Sequence, residues 1–236
     1  TVVVKSGDVL QYLSFDVLGT LIVQPGAKLE YCQFIVVGEL VWDGVATNCG
    51  FDVYGTLTMK PGAQFESCRF EIHGNLIAKG TEADSITITR GTGIRFFGGE
   101  SYLSYMRISG CVVSQGSHPN WNMAYASGGG IHVSGEGTLV HMSHCVVERN
   151  TANGSDTVSG SFFAFGRGGG VSVINSARLE MKNCIISENQ TFAFGCAAIA
   201  DVSAFLLLEQ CLLRGNDYRD NLIWGAGGVV ASHRGA

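Results

Sequence analysis

A stretch of this chain repeats itself. Phe15-Asp16-Val17-Leu18-Gly19-Thr20-Leu21 returns as Phe51-Asp52-Val53-Tyr54-Gly55-Thr56-Leu57, and the match runs on through Pro25-Gly26-Ala27 against Pro61-Gly62-Ala63 to Cys32 and Cys68, a period of 36 residues. Inside that period a Gly-x-Leu recurs, at Gly19, Gly38, Gly55 and Gly74, with steps of 19, 17 and 19. The structural unit is thus about 18 residues, too short for a helical pair, whose repeats run to ~33 or more. Apolar residues alternate with polar or small ones in Thr20-Leu21-Ile22-Val23 and Thr56-Leu57-Thr58-Met59, with turn residues between, which is the pattern of short strands. Such strands coil into an all-β solenoid, a single-stranded right-handed parallel β-helix. The handedness follows from the crossover rule for parallel strands. Roughly eight to ten coils stacked at ~4.8 Å give a rod about 40–50 Å long.

The second half carries a longer repeat. Gly128-Gly129-Gly130-Ile131 returns as Gly168-Gly169-Gly170-Val171, more loosely as Ala197-Ala198-Ile199, and again as Gly227-Gly228-Val229. Each of the first three is followed by Cys, two branched apolar residues and, five positions after the Cys, Asn: Cys145 with Asn150, Cys184 with Asn189, Cys211 with Asn216. From the last small residue to Cys the intervals are 15, 14 and 13, whereas from Cys to the next small cluster they are 17, 23, 13 and 16. A coil segment of fixed length alternates with a loop of free length. One continuous domain is expected, with short coils over residues 1–80, a transition over 81–110 and longer coils over 111–236.

Periodicity also assigns directions. Three and five residues before Cys the positions are apolar (Met106 and Ile108, Val140 and Met142, Leu179 and Met181, Leu206 and Leu208), as they are two after it (Val113, Val147, Ile186, Leu213). These face inward. Six cysteines, Cys32, Cys68, Cys111, Cys145, Cys184 and Cys211, are expected to share one inner corner as a column of small free thiols, with Cys49 and Cys196 outside it. No C-x-x-C or paired Cys/His spacing points to zinc. Asn150, Asn189 and Asn216 fall at one turn, where stacked amides can hydrogen-bond along the axis.

Composition narrows the function. Gly accounts for 33 of 236 residues and charged residues for 15%, against a usual ~25%. The formal charge is −5 with no polybasic run, so an electrostatic footprint for nucleic acid or anionic lipid is missing, and nucleic acid is set aside as a partner. No uninterrupted apolar run of about 18 residues is present to form a transmembrane helix. The chain opens on Thr1-Val2-Val3-Val4 without Met or a leader, so any targeting segment is expected to have been removed or to lie outside this sequence. Both ends read as bare strands, the expectation being a piece of a longer rod or a subunit that stacks end to end.

The Gly-Gly-Gly-Ile and Gly-Gly-Gly-Val clusters, with φ-x-x-Asn after them, resemble the GGA(I/L/V) and FxxN repeats of the polymorphic outer-membrane protein passengers of chlamydiae. More broadly they resemble the right-handed β-helix (pectin-lyase-like) repeat proteins, over about residues 100–236. Residues 1–80 are similar to the Gly-x-Leu and Pro-Gly-Ala coils of extracellular adhesins. Val147, Ile186 and Leu213 stand where the chlamydial repeats favour Phe, and Gly130 and Gly170 where they favour Ala. The resemblance implies a surface-displayed or secreted structural or adhesive role.

Enzymes on that fold act on acidic polysaccharides through clustered carboxylates or a base on one face. No Asp-Asp pair, Asn-Thr-Asp, Gly-His-Gly or Arg-x-Lys occurs. The best candidate coil holds His132, His141, His144 and Glu148, in which His132 and His144 could share a face; outward polar decoration is the alternative. Asp217, Arg219 and Asp220 form a second charged group, read as a solvated loop or an internal ion pair. Asn153-Gly154-Ser155 and Asn189-Gln190-Thr191 are glycosylation sequons, with Asn153 the candidate because Asn189 sits in the ladder.

The loops are aromatic: His118, Trp121 and Tyr125, then Phe162, Phe163 and Phe165, then Phe192 and Phe194, then Tyr218 and Trp224. They emerge along one edge, where they either pack on each other or offer anchors to a protein or glycan. The expected protein is therefore a non-catalytic extracellular or cell-surface β-helix, structural or adhesive, without cofactor or metal. Its partners would be copies of itself, end to end or lateral, or other surface proteins and glycans. A polysaccharide lyase, hydrolase or epimerase is the alternative.

Overall fold

A computed structural model of the chain describes residues 1–114, 123–153, 163–191, 196–201, 203–218 and 230–233. Among them are 33 strands and no helix. Three sheets of nine strands form the walls, every pairing parallel and every neighbour in a sheet coming from the adjacent coil. The first coil supplies Val2–Val4, Val9–Gln11 and Ser14–Val17 to the first, second and third sheets, and the next supplies Thr20–Val23, Lys28–Glu30 and Gln33–Val36. Nine coils result, within the expected eight to ten.

Register makes the solenoid explicit. Val4, Val23, Trp42, Met59, Ala78, Leu103, Met142, Met181 and Leu208 are successive partners on the first sheet. Coil length is therefore 19, 19, 17 and 19 residues, and then 25, 39, 39 and 27. Alternate residues of each strand point inward, so the interior is a set of like-on-like columns. Phe15, Phe34, Phe51 and Phe70 stack face to face with centroids 4.9, 4.9 and 4.8 Å apart. Trp42 stands edge-on to two of them at 5.4 and 5.3 Å, completely buried. Such offset aromatic contacts add about 0.5–1.5 kcal/mol each beyond area burial.

One left-handed residue makes each corner between the second and third walls. Tyr12, Tyr31, Asn48, Ser67, Arg90, Gly110, Arg149, Glu188 and Gly215 all have φ between 54° and 65°. Seven of these nine carry a Cβ, at a cost of about 1–2 kcal/mol each, and stacking of the outward side chains, as in Tyr12 on Tyr31 at 5.0 Å, offsets part of it.

The residue after that corner corrects the expected cysteine column. Following the pairing register, it is Leu13, Cys32, Cys49, Cys68, Gly91, Cys111, Asn150, Asn189 and Asn216. Cys49 thus belongs to the column and the asparagines continue it. Cys145, Cys184 and Cys211 lie elsewhere, after a second left-handed corner between the first and second walls formed by Tyr105, His144, Asn183 and Gln210. Both corners favour a small inward side chain directly after the bend, so one local pattern serves two places. All eight cysteines are free thiols.

The insertions also differ from expectation. A fourth sheet follows the Asn position, with strands Val112–Ser114, Thr151–Asn153, Gln190–Thr191 and Asp217–Tyr218. Met123–Ser127 pairs in parallel with Phe163–Arg167 on the returning side. Segments read as loops therefore extend the ladder at their bases, because backbone groups leaving a stacked corner find partners in the coil above and below.

Candidate functional site

The edge that bears the insertions is built by three sequence features meeting at one point. Asn150 Nδ2 donates to the Ile108 carbonyl (3.0 Å) and to Asn189 Oδ1 (3.1 Å); Asn189 Nδ2 donates to the Val147 carbonyl (2.9 Å) and to Asn216 Oδ1 (3.0 Å). The expected amide ladder is present, and Asn150 and Asn189 are fully buried. The returning Gly cluster then closes on it. A Cβ on Gly130 would lie 2.8 Å from Asn150 Nδ2, and one on Gly170 would lie 2.9 Å from Asn189 Nδ2. The chain returning from one insertion is thus packed against the Asn corner from which the next insertion leaves, at Gly130 on Asn150 and Gly170 on Asn189.

Of the aromatic residues expected on this edge, His118, Trp121, Phe162, Phe192, Phe194 and Trp224 lie outside the described residues. Tyr125 and Phe165 are register partners in the two-stranded sheet, Phe163 pairs with Met123, and Tyr218 ends the fourth sheet opposite Thr191. Asn153 is half-buried at the end of its strand. Asn189, with its amide nitrogen engaged twice, is unavailable for glycosylation in the folded chain.

The histidine coil separates. His132 points outward from the third wall yet is buried, His141 sits on the first wall, and His144 forms the corner after it. His132 and His144 do not share a face, because in a 39-residue coil twelve positions carry the chain round a corner. Glu148 lies on the second wall, ion-paired with Arg107. Asp217 belongs to the fourth sheet, while Arg219 and Asp220 lie outside the described residues. Cys196, as expected, stands apart from both columns, in the segment returning to the third wall, where its carbonyl accepts the Gly170 N–H at 3.1 Å.

What the outer walls do hold is charge in ladders. Arg69 bridges Asp52 (2.9 Å) and Glu71 (3.0 Å), Arg90 pairs with Glu66 (2.8 Å), Arg149 with Glu188 (2.8 Å) and Lys182 with Glu209 (2.7 Å). On the first wall His141 lies between Glu180 (3.1 Å) and Glu100 (3.4 Å) and stacks on Tyr102 at 4.9 Å. His141, Glu180 and Tyr102, together with Lys79, Lys182 and Leu207, line an open cleft of about 350 Å³. The Arg178 guanidinium, at 2.6 Å, holds the Glu180 carboxyl below its ordinary range. The hydrogen bond to Glu100 pushes the Tyr102 phenol up. Among the described residues no group of three or more His, Cys, Asp or Glu side chains is placed to hold a metal, and no helix is long and apolar enough to cross a membrane.

Comparison with known proteins identifies one family. The model of the right handed beta helix region matches residues 46–235. No curated protein matches the chain. Among solved structures, HetL, a pentapeptide repeat protein involved in heterocyst differentiation regulation from the cyanobacterium Nostoc sp. strain PCC 7120, is 10% identical over 88% of this chain and 87% of that chain, with a TM-score of 0.16. That likeness is too low to bear on either fold or role.

Proposed function

The chain belongs to the right-handed β-helix family, and from that premise we propose that it is a non-catalytic structural or adhesive rod, displayed outside the cell, whose insertion-bearing edge takes a protein or glycan partner. One observation carries this reading: most of the charged side chains described on the outer walls pair with one another, while the insertions after Cys111, Asn150 and Asn189 leave and return along one edge. A rigid ladder that holds variable segments in a row is a scaffold for recognition. The extracellular placement draws on the resemblance of the Gly and Asn repeats to surface-displayed passengers.

The test is binding and turnover on the same preparation. The chain is presented to arrays of glycans and of cell-surface proteins, alongside the double variant Trp121→Ala, Tyr125→Ala, and is incubated with a panel of neutral and uronic polysaccharides. Saturable binding that weakens at least tenfold in the variant, with no cleavage products, is expected. Polysaccharide cleavage that disappears in His141→Ala would overturn the reading.

That outcome would support the second reading, a polysaccharide-active enzyme, which one arrangement favours: His141 held between two carboxylates in an open cleft. Glu180, kept ionised by Arg178, could act there as a base but not as the proton donor.

A further inference from the structure

One row on the third wall behaves unlike the rest. Asp16, Ile35, Asp52, Glu71, Arg95, His132 and Ser172 are successive register partners, all pointing outward. In the early coils the row faces water, and Ile35 is 42% exposed. By His132 and Ser172 exposure has fallen to 4% and 0%. Outward-pointing polar groups have become buried ones, and burial of a polar group without a partner costs about 1–3 kcal/mol.

Three neighbours in that row each keep a buried polar atom with no hydrogen-bond partner: Arg95 Nε, His132 Nδ1 and Ser172 Oγ. Native proteins leave few such atoms, and three on consecutive coils, about 4.8 Å apart, point to something that belongs there. The chemistry of the three is that of donors. Arg95 Nε–H can only donate, Ser172 can donate, and His132 can donate from Nδ1 in the corresponding tautomer. Charge agrees with this. Glu71 lies 4.0 Å from Arg95 but 3.0 Å from Arg69, so this carboxylate is shared and pairs with Arg95 only at long range. The guanidinium lies over the Phe97 ring at 5.6 Å, and His132 meets the same ring edge-on at 6.0 Å, so both groups pack against one aromatic side chain.

We propose that Arg95, His132 and Ser172 form an oxyanion-binding site, taking a carboxylate, sulfate or phosphate group. A metal cation is excluded by the fixed positive charge of Arg95. A neutral hydroxyl would satisfy the hydrogen bonds but leave that charge unanswered. The site lies on the third wall, beside Gly128 of the returning insertion, where an added Cβ would come within 2.8 Å of His132 Cβ.

The test uses the full chain with isotope-labelled histidine and arginine. The ring resonances of His132 and the Nε resonance of Arg95 are followed by NMR at fixed pH and fixed ionic strength, on addition of sulfate, phosphate or acetate. A saturable shift confined to those residues is expected. It should weaken by about three- to tenfold in Ser172→Ala, the loss of one hydrogen bond, and by more than tenfold in Arg95→Gln, with thermal melting to establish that each variant is folded. Saturation by the inorganic ions identifies a free oxyanion as ligand. Saturation only by a sulfated or carboxylated oligosaccharide identifies the same group borne on a glycan. No saturable shift with any of these, an equal shift with a neutral oligosaccharide, or an undiminished shift in Arg95→Gln overturns the proposal.

Discussion

The backbone N–H of Cys111 donates to Oδ1 of Asn150 on the next coil at 2.9 Å, as the backbone N–H of Cys32 donates to Sγ of Cys49 at 3.4 Å. Thiol and amide thus occupy one column and do one job with different strength. Asn189 accepts from the Asn150 backbone and side chain and donates to Val147 and Asn216. Asn189→Ala strands all four groups and should cost about 3 kcal/mol or more. Cys49→Ala, which loses weak thiol bonds to the Leu29 and Thr47 carbonyls and the weak sulfur acceptor of the Cys32 N–H, should cost about 1–2 kcal/mol. Equilibrium urea unfolding compares the two; equal losses would contradict the difference in strength.

Two glycines should answer differently to a methyl group. A Cβ on Gly74 would sit 2.1 Å from the Gly55 carbonyl oxygen, a backbone atom in a stack that cannot yield, whereas Gly62, at φ 81°, has nothing within 4 Å. Gly62→Ala should therefore cost only the left-handed conformation, about 1–2 kcal/mol. Gly74→Ala should cost more than 3 kcal/mol, beyond ordinary overpacking, and lower the yield of folded protein. Comparable melting temperatures for the two variants would be the contrary result.

Burial, with a smaller contribution from Arg95, pushes His132 down to about 4 from its ordinary 6.5. The native state therefore resists a proton that the unfolded chain accepts. Stability is full above pH 6.5, falls as the pH drops below it, and levels off near pH 4, a loss on the order of 3 kcal/mol. In buffers free of oxyanions, the melting temperature of His132→Gln should lose this slope between pH 6.5 and 4 while that of the parent keeps it. Parallel profiles would mean that His132 titrates normally.

Seven of the eight thiols are buried, and Cys211 is half-exposed. A chromogenic disulfide reagent should modify one thiol in the native protein and eight after denaturation. Rapid native reaction of three or more would show that the columns open to solvent.

The coil, its length and the inward columns were legible because stacking repeats the same demand every turn: Leu21, Leu40, Leu57 and Leu76 answer to one wall, and the Asn ladder to one corner. The cysteines misled because Cys68 and Cys145 follow identical bends at different corners, and a linear sequence marks the bend rather than the corner. The histidines misled for a related reason. Spacing from His132 to His144 says nothing about direction unless the corners between them are known. The donor row was not legible, since Arg95, His132 and Ser172 stand 37 and 40 residues apart and meet only through coils of unequal length.

Gly19-Thr20-Leu21 and Gly55-Thr56-Leu57 occupy the same place two coils apart. Excising residues 20–55 would join Gly19 to Thr56 and regenerate the original junction without a seam, and duplicating them would do the same. Unequal recombination at such a repeat changes the length of the product by whole pairs of coils, about 10 Å at a time. A lineage carrying this segment can therefore adjust its reach in discrete steps without first solving a new folding problem.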